Sequence, residues 1–173
     1  ALDAASGKVL WRTRTTVAVH SAPAVDGTRV YAVDIDNQLL AFNQEDGTQA
    51  WTQQAIVEPA RLLKASTPAL SGDLVVTPFS SGEVMAVRSN NGQVVWTEVL
   101  SRTSRTNALS EIRDVAGRPA VYRGEVFAAS HSGILAALDL KTGTHHWEVP
   151  MASTSGVWPT GDAVYAVSVT GEL

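Results

Sequence analysis

Cysteine is absent from the 173 residues, which excludes disulfides, thiolate nucleophiles, zinc–thiolate sites and iron–sulfur clusters together. The absence does not fix a compartment, since an oxidising space such as the periplasm favours cysteine-free chains but many cytosolic proteins also lack the residue. Charge is sparse too. Only 17% of residues are charged, and 13 Lys plus Arg stand against 17 Asp plus Glu. A net charge of −4 excludes the broad basic face that nucleic acid requires, though not a small basic patch. No run approaches the roughly 18 consecutive apolar residues of a membrane-spanning helix, and no charged-then-apolar leader precedes Ala1. The expectation is a soluble segment without its targeting sequence. It begins at Ala1 and stops at Gly171-Glu172-Leu173 inside a pattern, as though cut at both ends. With 45% apolar residues the chain can bury the core of one domain, or two small ones, and is neither disordered nor a coiled coil.

Aromatic residues are also few, yet four of the five tryptophans are placed by an internal repeat. Ala1-Leu2-Asp3, Gly7 and Trp11 are matched by Ala41-Phe42-Asn43, Gly47 and Trp51. The same frame returns as Ala86-Val87-Arg88, Gly92 and Trp96, and as Ala137-Leu138-Asp139, Gly143 and Trp147. Pro23, Pro68 and Pro119 each stand 18 residues ahead of the repeated Ala, and a turn residue (Asn37, Gly82, Gly133) stands four ahead. The Trp-to-Trp spacing grows from 40 to 45 to 51 residues. All added length falls between a Trp and the next Pro, so variation is confined to one connection. Gly156 opens a further copy that reaches the turn at Gly171.

Self-similarity at this period signals a repeat architecture, and the local signals are those of short strands. Arg29 to Val33, Leu74 to Pro78, Glu125 to Ala129 and Ala163 to Val167 are β-branched, aromatic or small residues bounded by turn formers. Gln38 to Phe42, Glu83 to Val87 and Ile134 to Leu138 follow, then a Gly-centred turn and the Trp-bearing strand. With the strand that opens at each Pro, where a missing N–H is tolerated, the unit has four strands, the size of a propeller blade. The predicted fold class is all-β: a β-propeller of four-stranded antiparallel blades. Residues 1–11 are the end of one blade, 12–51, 52–96 and 97–147 are complete units, and 148–173 start a truncated one.

Chemistry is hard to find in this pattern. Asp34-Ile35-Asp36-Asn37 is the best acidic cluster, but it aligns with Phe79-Ser80-Ser81-Gly82 and Ser130-His131-Ser132-Gly133 and so reads as a hairpin turn. His145 and His146 are adjacent on a strand and point to opposite faces, which prevents them from chelating one metal. No nucleophile elbow, phosphate loop or dinucleotide fingerprint is present. No catalytic residue, metal site or cofactor is predicted. Trp158 stands where the other units have Ala after Pro, and reads as core first and a ligand platform second.

The two long connections differ from the frame. Glu58-Pro59-Ala60-Arg61-Leu62-Leu63-Lys64 puts two leucines where the first unit has Val17, Ala18 and Val19. Residues 102–118 carry four arginines against Glu111 and Asp114, reversing the sign of the whole chain. Long loops in compact domains are commonly functional, and arginine is enriched at interfaces.

The pattern Ala-Leu-Asp-x-x-x-Gly-x-x-x-Trp resembles the tryptophan-docking repeat of propellers related to pyrroloquinoline quinone (PQQ) dehydrogenases. There the Trp of one blade packs on its neighbour and the ring usually has eight blades. That implies about half of an eight-bladed ring here. Such a half leaves open flanks, so it is expected to belong to a longer propeller, or to pair with a second copy or its missing half. The second connection is more specific. Arg102-Thr103-Ser104, Leu109 through Pro119 and Gly133 through Gly143 resemble the BamB family, propeller lipoproteins of the outer-membrane β-barrel assembly (BAM) machinery. The likeness extends from Ser66-Thr67-Pro68 to Pro159-Thr160-Gly161-Asp162.

The resemblance implies a non-catalytic scaffold at the periplasmic face of the bacterial outer membrane, held there by a lipid anchor that this chain does not carry. It implies docking onto the POTRA domains of BamA through Leu62, Leu63 and Lys64, together with Arg113 and Asp114. The family's acidic pair maps to Asp114 and position 116, which is Ala here, so half of that pair is missing. An apolar anchor with one ion pair setting register is the implied physics. Two other readings stand beside it. One is a fragment of a PQQ-dependent quinoprotein dehydrogenase, which would need calcium and a quinone pocket on the axis. The other is a holder of unfolded outer-membrane protein strands by β-augmentation.

Overall fold

Each Gly- or Asn-containing turn reverses the chain onto the strand just made, so every repeat folds as an antiparallel meander. The computed structural model describes residues 1–57, 67–101, 112 and 114–173. The first sheet orders β1 (Ala24–Val25), β2 (Arg29–Val33), β3 (Gln38–Asn43) and β4 (Gln49–Gln54). The second orders β5 (Ala69–Ser71), β6 (Leu74–Pro78), β7 (Glu83–Arg88) and β8 (Val94–Val99). The third orders β9 (Ala120–Tyr122), β10 (Glu125–Ala129), β11 (Ile134–Asp139) and β12 (His145–Pro150), and β13 (Trp158–Thr160) pairs with β14 (Ala163–Tyr165) as a two-stranded ribbon. Ahead of the first sheet, Leu2 and Val9 form an antiparallel bridge. These are the blades of a β-propeller, stacked as an arc with the short strands β1, β5, β9 and β13 side by side on the inside.

Burial follows the position of a strand in its blade. β6 and β7 are buried along almost their whole length, whereas β12 is exposed throughout. Alternate residues of a middle strand therefore serve two different cores. Met85 and Val87 pack back against Tyr31, Leu39 and Ala41 of the first sheet. Val84 and Ala86 pack forward with Val126, Ile134 and Leu138 of the third. This explains why the middle strands read as continuous apolar runs rather than as an alternation. A bulge interrupts the outer pairing at Ala41/Phe42, Ala86/Val87 and Ala137/Leu138, the same place in each repeat. It bends each outer strand just beside its Trp, which lies directly across from the repeated Ala.

The repeat then locks one blade to the next. Indole Nε1 of Trp11 donates to the carbonyl of Gln44 at 2.9 Å, that of Trp51 to Ser89 at 3.1 Å, and that of Trp96 to Leu140 at 2.9 Å. In each case the indole ring covers the glycine three residues beyond that carbonyl: Gly47, Gly92 and Gly143.

Candidate functional site

In a four-stranded meander the turn between the second and third strands and the end of the fourth strand lie on the same face. Both long connections therefore leave from the face that carries the turns after β2, β6 and β10. Their first residues are tied there by the backbone. Ala55 donates to the Asn37 carbonyl at 3.0 Å and Leu100 to the Gly82 carbonyl at 2.8 Å, as Met151 does to Gly133 at 3.1 Å.

Two buried side chains hold the first connection at its root. Asn37 has a positive φ of 59° where the other units have glycine, and its amide bridges two blades. Its Nδ2 donates to the Ile56 carbonyl at 2.6 Å, while its Oδ1 accepts from the Ser80 hydroxyl at 2.8 Å. Glu83 is 6% exposed, and its Oε2 accepts from the Ile56 N–H at 2.8 Å and the Ser81 hydroxyl at 2.7 Å. Such bonds to a carboxylate are the stronger kind. They fix the backbone of Ile56, yet Ile56 and Val57 expose 62% and 57% of their surface. Two large apolar side chains thus stand open where the first connection departs.

The second connection returns as a packed strap. Val115 donates to the Phe79 carbonyl at 3.2 Å, and the Asp114 carbonyl accepts from the His131 N–H at 2.8 Å. Asp114, Val115 and Ala116 are all 3% exposed or less. Gly117 lies so close to the next segment that an added Cβ would stand 2.0 Å from the Ser155 carbonyl oxygen. Asp114 holds the repeat position of Ala18 and Ala152, whose carbonyls accept from Ile35 and Val169. Five residues before Pro68, that same position is Leu63.

Of the residues predicted to make the docking surface, Leu62, Leu63, Lys64 and Arg113 lie outside the described residues. Asp114 is described and is buried, not presented on an open surface. The acidic cluster is a turn: Asp34 Oδ1 accepts from the N–H groups of Asp36 and Gln38, each at 2.9 Å. His146 contacts Glu125 at 2.6 Å, while His145 faces Glu98 at 3.4 Å on the neighbouring blade, so the two imidazoles have different partners. Among the described residues no three His, Asp or Glu side chains gather closely enough to hold a metal ion. The reading of Trp158 as core is corrected. It lies on β13 of the two-stranded ribbon and is 72% exposed among the described residues. Asn37, Glu83 and Gly117 were missed as holding residues; the first was legible only as a turn former.

Comparison with known proteins gives one family. The family model described as "Outer membrane protein assembly factor BamB" matches residues 1–173. The outer membrane protein assembly factor BamB of Moranella endobia is 28% identical over 167 residues, covering 96% of this chain and 43% of the relative. The crystal structure of BamB from Moraxella catarrhalis superposes with a TM-score of 0.90 at 24% identity, covering 98% of this chain and 52% of that one. Quinohemoprotein alcohol dehydrogenase from Comamonas testosteroni shares the fold with a TM-score of 0.65 at 19% identity, over 82% of this chain and 22% of that one. The chain thus spans about half the length of the BamB proteins it matches.

Proposed function

The chain belongs to the BamB family of outer membrane protein assembly factors, and from that premise we propose that it is a non-catalytic scaffold of the β-barrel assembly machinery. Its place is the periplasmic face of the outer membrane, and its partner is the POTRA region of BamA. The contact runs over the face from which both long connections depart. Leu62 and Leu63 supply the apolar anchor, with Lys64 and Arg113 beside them, and Asp114 acts from within by holding the second connection to its blade.

One observation carries this reading. Ile56 and Val57 are exposed at the root of the first connection while Glu83 and Asn37 hold their backbone in place. A rigid root bearing open apolar side chains continues in sequence into Leu62-Leu63, which is how a desolvated hot spot is built. The rigidity lowers the ordering cost of binding.

The test is a titration of purified POTRA domains with the chain, followed by calorimetry or light scattering. The double variant Leu62→Ala, Leu63→Ala is expected to lose at least tenfold in affinity with unchanged thermal stability. Equal affinity of the double variant and the parent would show that the docking face lies elsewhere.

A further inference from the structure

The repeat supplies its own comparison for the root of the first connection. Ala55, Leu100 and Met151 hold one position, since their N–H groups donate to the carbonyls of Asn37, Gly82 and Gly133. Gln38, Glu83 and Ile134 hold another, each directly after that turn residue. Between the second and third sheets the two positions close the junction with hydrocarbon: Leu100 and Ile134 are 0% and 7% exposed in one apolar cluster. Between the first and second sheets they are Ala55 and Glu83, 7% and 6% exposed. A small side chain and a carboxylate stand where the next junction has two large apolar ones.

Burying a carboxylate is costly unless its hydrogen bonds are made, and here one of them is made to the connection. Both backbone polar groups of Ile56 are taken: its N–H donates to Glu83 Oε2 at 2.8 Å, and its carbonyl accepts from Asn37 Nδ2 at 2.6 Å. The two holders come from different sheets. Asn37 departs from the repeat as well, since its counterparts Gly82, Gly133 and Gly171 are glycines with positive φ. Its Oδ1 also accepts from the Ser80 N–H at 3.3 Å. In the other three units that N–H donates to the incoming connection: Ile35 to Ala18, His131 to Asp114 and Val169 to Ala152. The departures at residues 37, 55 and 83 thus meet around Ile56, which is 62% exposed. The neighbouring junction closes without any of them.

We infer that Glu83 and Asn37 are positioning residues of the docking face: they set the direction in which the first connection leaves its blade, and closure of the junction does not require them. The inference rests on the reading of this face as the docking face. Holding one residue's peptide groups from two sheets removes backbone freedom before binding, so the partner meets the connection at a lower ordering cost.

The experiment transplants the neighbouring junction. In the double variant Ala55→Leu, Glu83→Ile, the Ser81 hydroxyl can turn to the carbonyl of residue 55, as Ser132 donates to the Leu100 carbonyl at 3.2 Å, and the Ile56 N–H is left to water. Exchanging a buried polar arrangement for apolar side chains is commonly neutral or stabilising, so the transplant is expected to unfold at or above the parent's temperature. Its affinity for purified POTRA domains is expected to fall roughly five- to tenfold, with faster hydrogen exchange at the Ile56 amide. Asn37→Gly restores the glycine of the other units and is expected to fold and to lose affinity in the same direction. Glu83→Gln keeps an acceptor oxygen and is expected to bind within about twofold of the parent.

A transplant less stable than the parent would overturn the inference, because closure would then depend on Glu83. Asn37→Gly tests it without repacking the junction: parental affinity together with faster Ile56 exchange would overturn it too. If the transplant binds like the parent while Leu62→Ala, Leu63→Ala loses affinity, the inference falls and the docking face stands. Parental affinity in the leucine variant as well would remove the docking reading, and the inference with it.

Discussion

The indole of Trp51 lies on Gly92 so closely that a Cβ there would stand 2.6 Å from its Cε3. The same ring sends its Nε1–H to the Ser89 carbonyl three residues earlier. One side chain thus reads both the missing Cβ and the exposed carbonyl of the next blade's turn. Gly92→Ala adds this clash to the cost of a positive φ, and Gly72→Ala carries the φ cost alone. The first is expected to lose roughly 2–4 kcal/mol and the second about 1 kcal/mol. Urea unfolding of the two variants measures the difference, and equal losses would show that the glycine serves the turn and not the docking.

Asp26 predicts a pH dependence. Burial raises its pKa, but the hydroxyl of Tyr31 at 2.6 Å and the N–H groups of Thr28 and Arg29 outweigh that and bring it down to about 2. A carboxyl with a depressed folded pKa contributes stability above its unfolded value, and loses it as pH falls through the folded value. The window is therefore from about pH 4 down to about 2. Asp26 is exposed, so screening limits the effect to no more than about 1 kcal/mol. Asp26→Asn is expected to flatten the stability profile across that window while leaving the slope above pH 5 unchanged. The same contact holds the Tyr31 hydroxyl protonated, with burial as the larger cause.

What could be read from the chain beforehand follows from how far each cause lies along it. The Gly-x-x-x-Trp spacing is local, so blades, turns and the tryptophan positions were legible. Seating of Trp51 on Gly92 was expected only from resemblance, because the contact joins two units. Asp114 shows the limit. Its burial depends on Phe79, His131 and Ser155 converging on residues 114–117 from three segments, and no local pattern announces that. Trp158 differs in another way, since the burial of a side chain on an inner strand depends on packing between sheets and its own strand does not announce it.

Glu83 offers a test of the connection's root. Its carboxylate satisfies the Ile56 N–H and the Ser81 hydroxyl in a site 6% exposed. Glu83→Ala leaves both donors without that acceptor, at a cost of about 1–3 kcal/mol. Glu83→Gln keeps an acceptor oxygen and is expected to lose less than half as much. Limited proteolysis between residues 57 and 67 is expected to accelerate several-fold in the alanine variant and little in the glutamine variant. Unchanged cleavage in both would mean that Asn37 alone holds the root.

Gly117 separates the holding of the second connection from general stability. A methyl group there would lie 2.0 Å from the Ser155 carbonyl, which is backbone and has little room to move. The segment of residues 114–117 must then shift away from the segment after Ser153, taking the Asp114–His131 bond with it. Gly117→Ala is expected to cost about 2–3 kcal/mol, in the range of overpacking in a close contact. It is also expected to weaken binding to POTRA domains at temperatures where the variant remains folded. Gly92→Ala loses similar stability at a blade junction on the opposite face and serves as the matched control, with binding expected to persist. Loss of binding in both variants would trace the effect to stability alone. Loss in Gly117→Ala only would show that the buried strap, including Asp114, shapes the docking face although it presents little surface of its own.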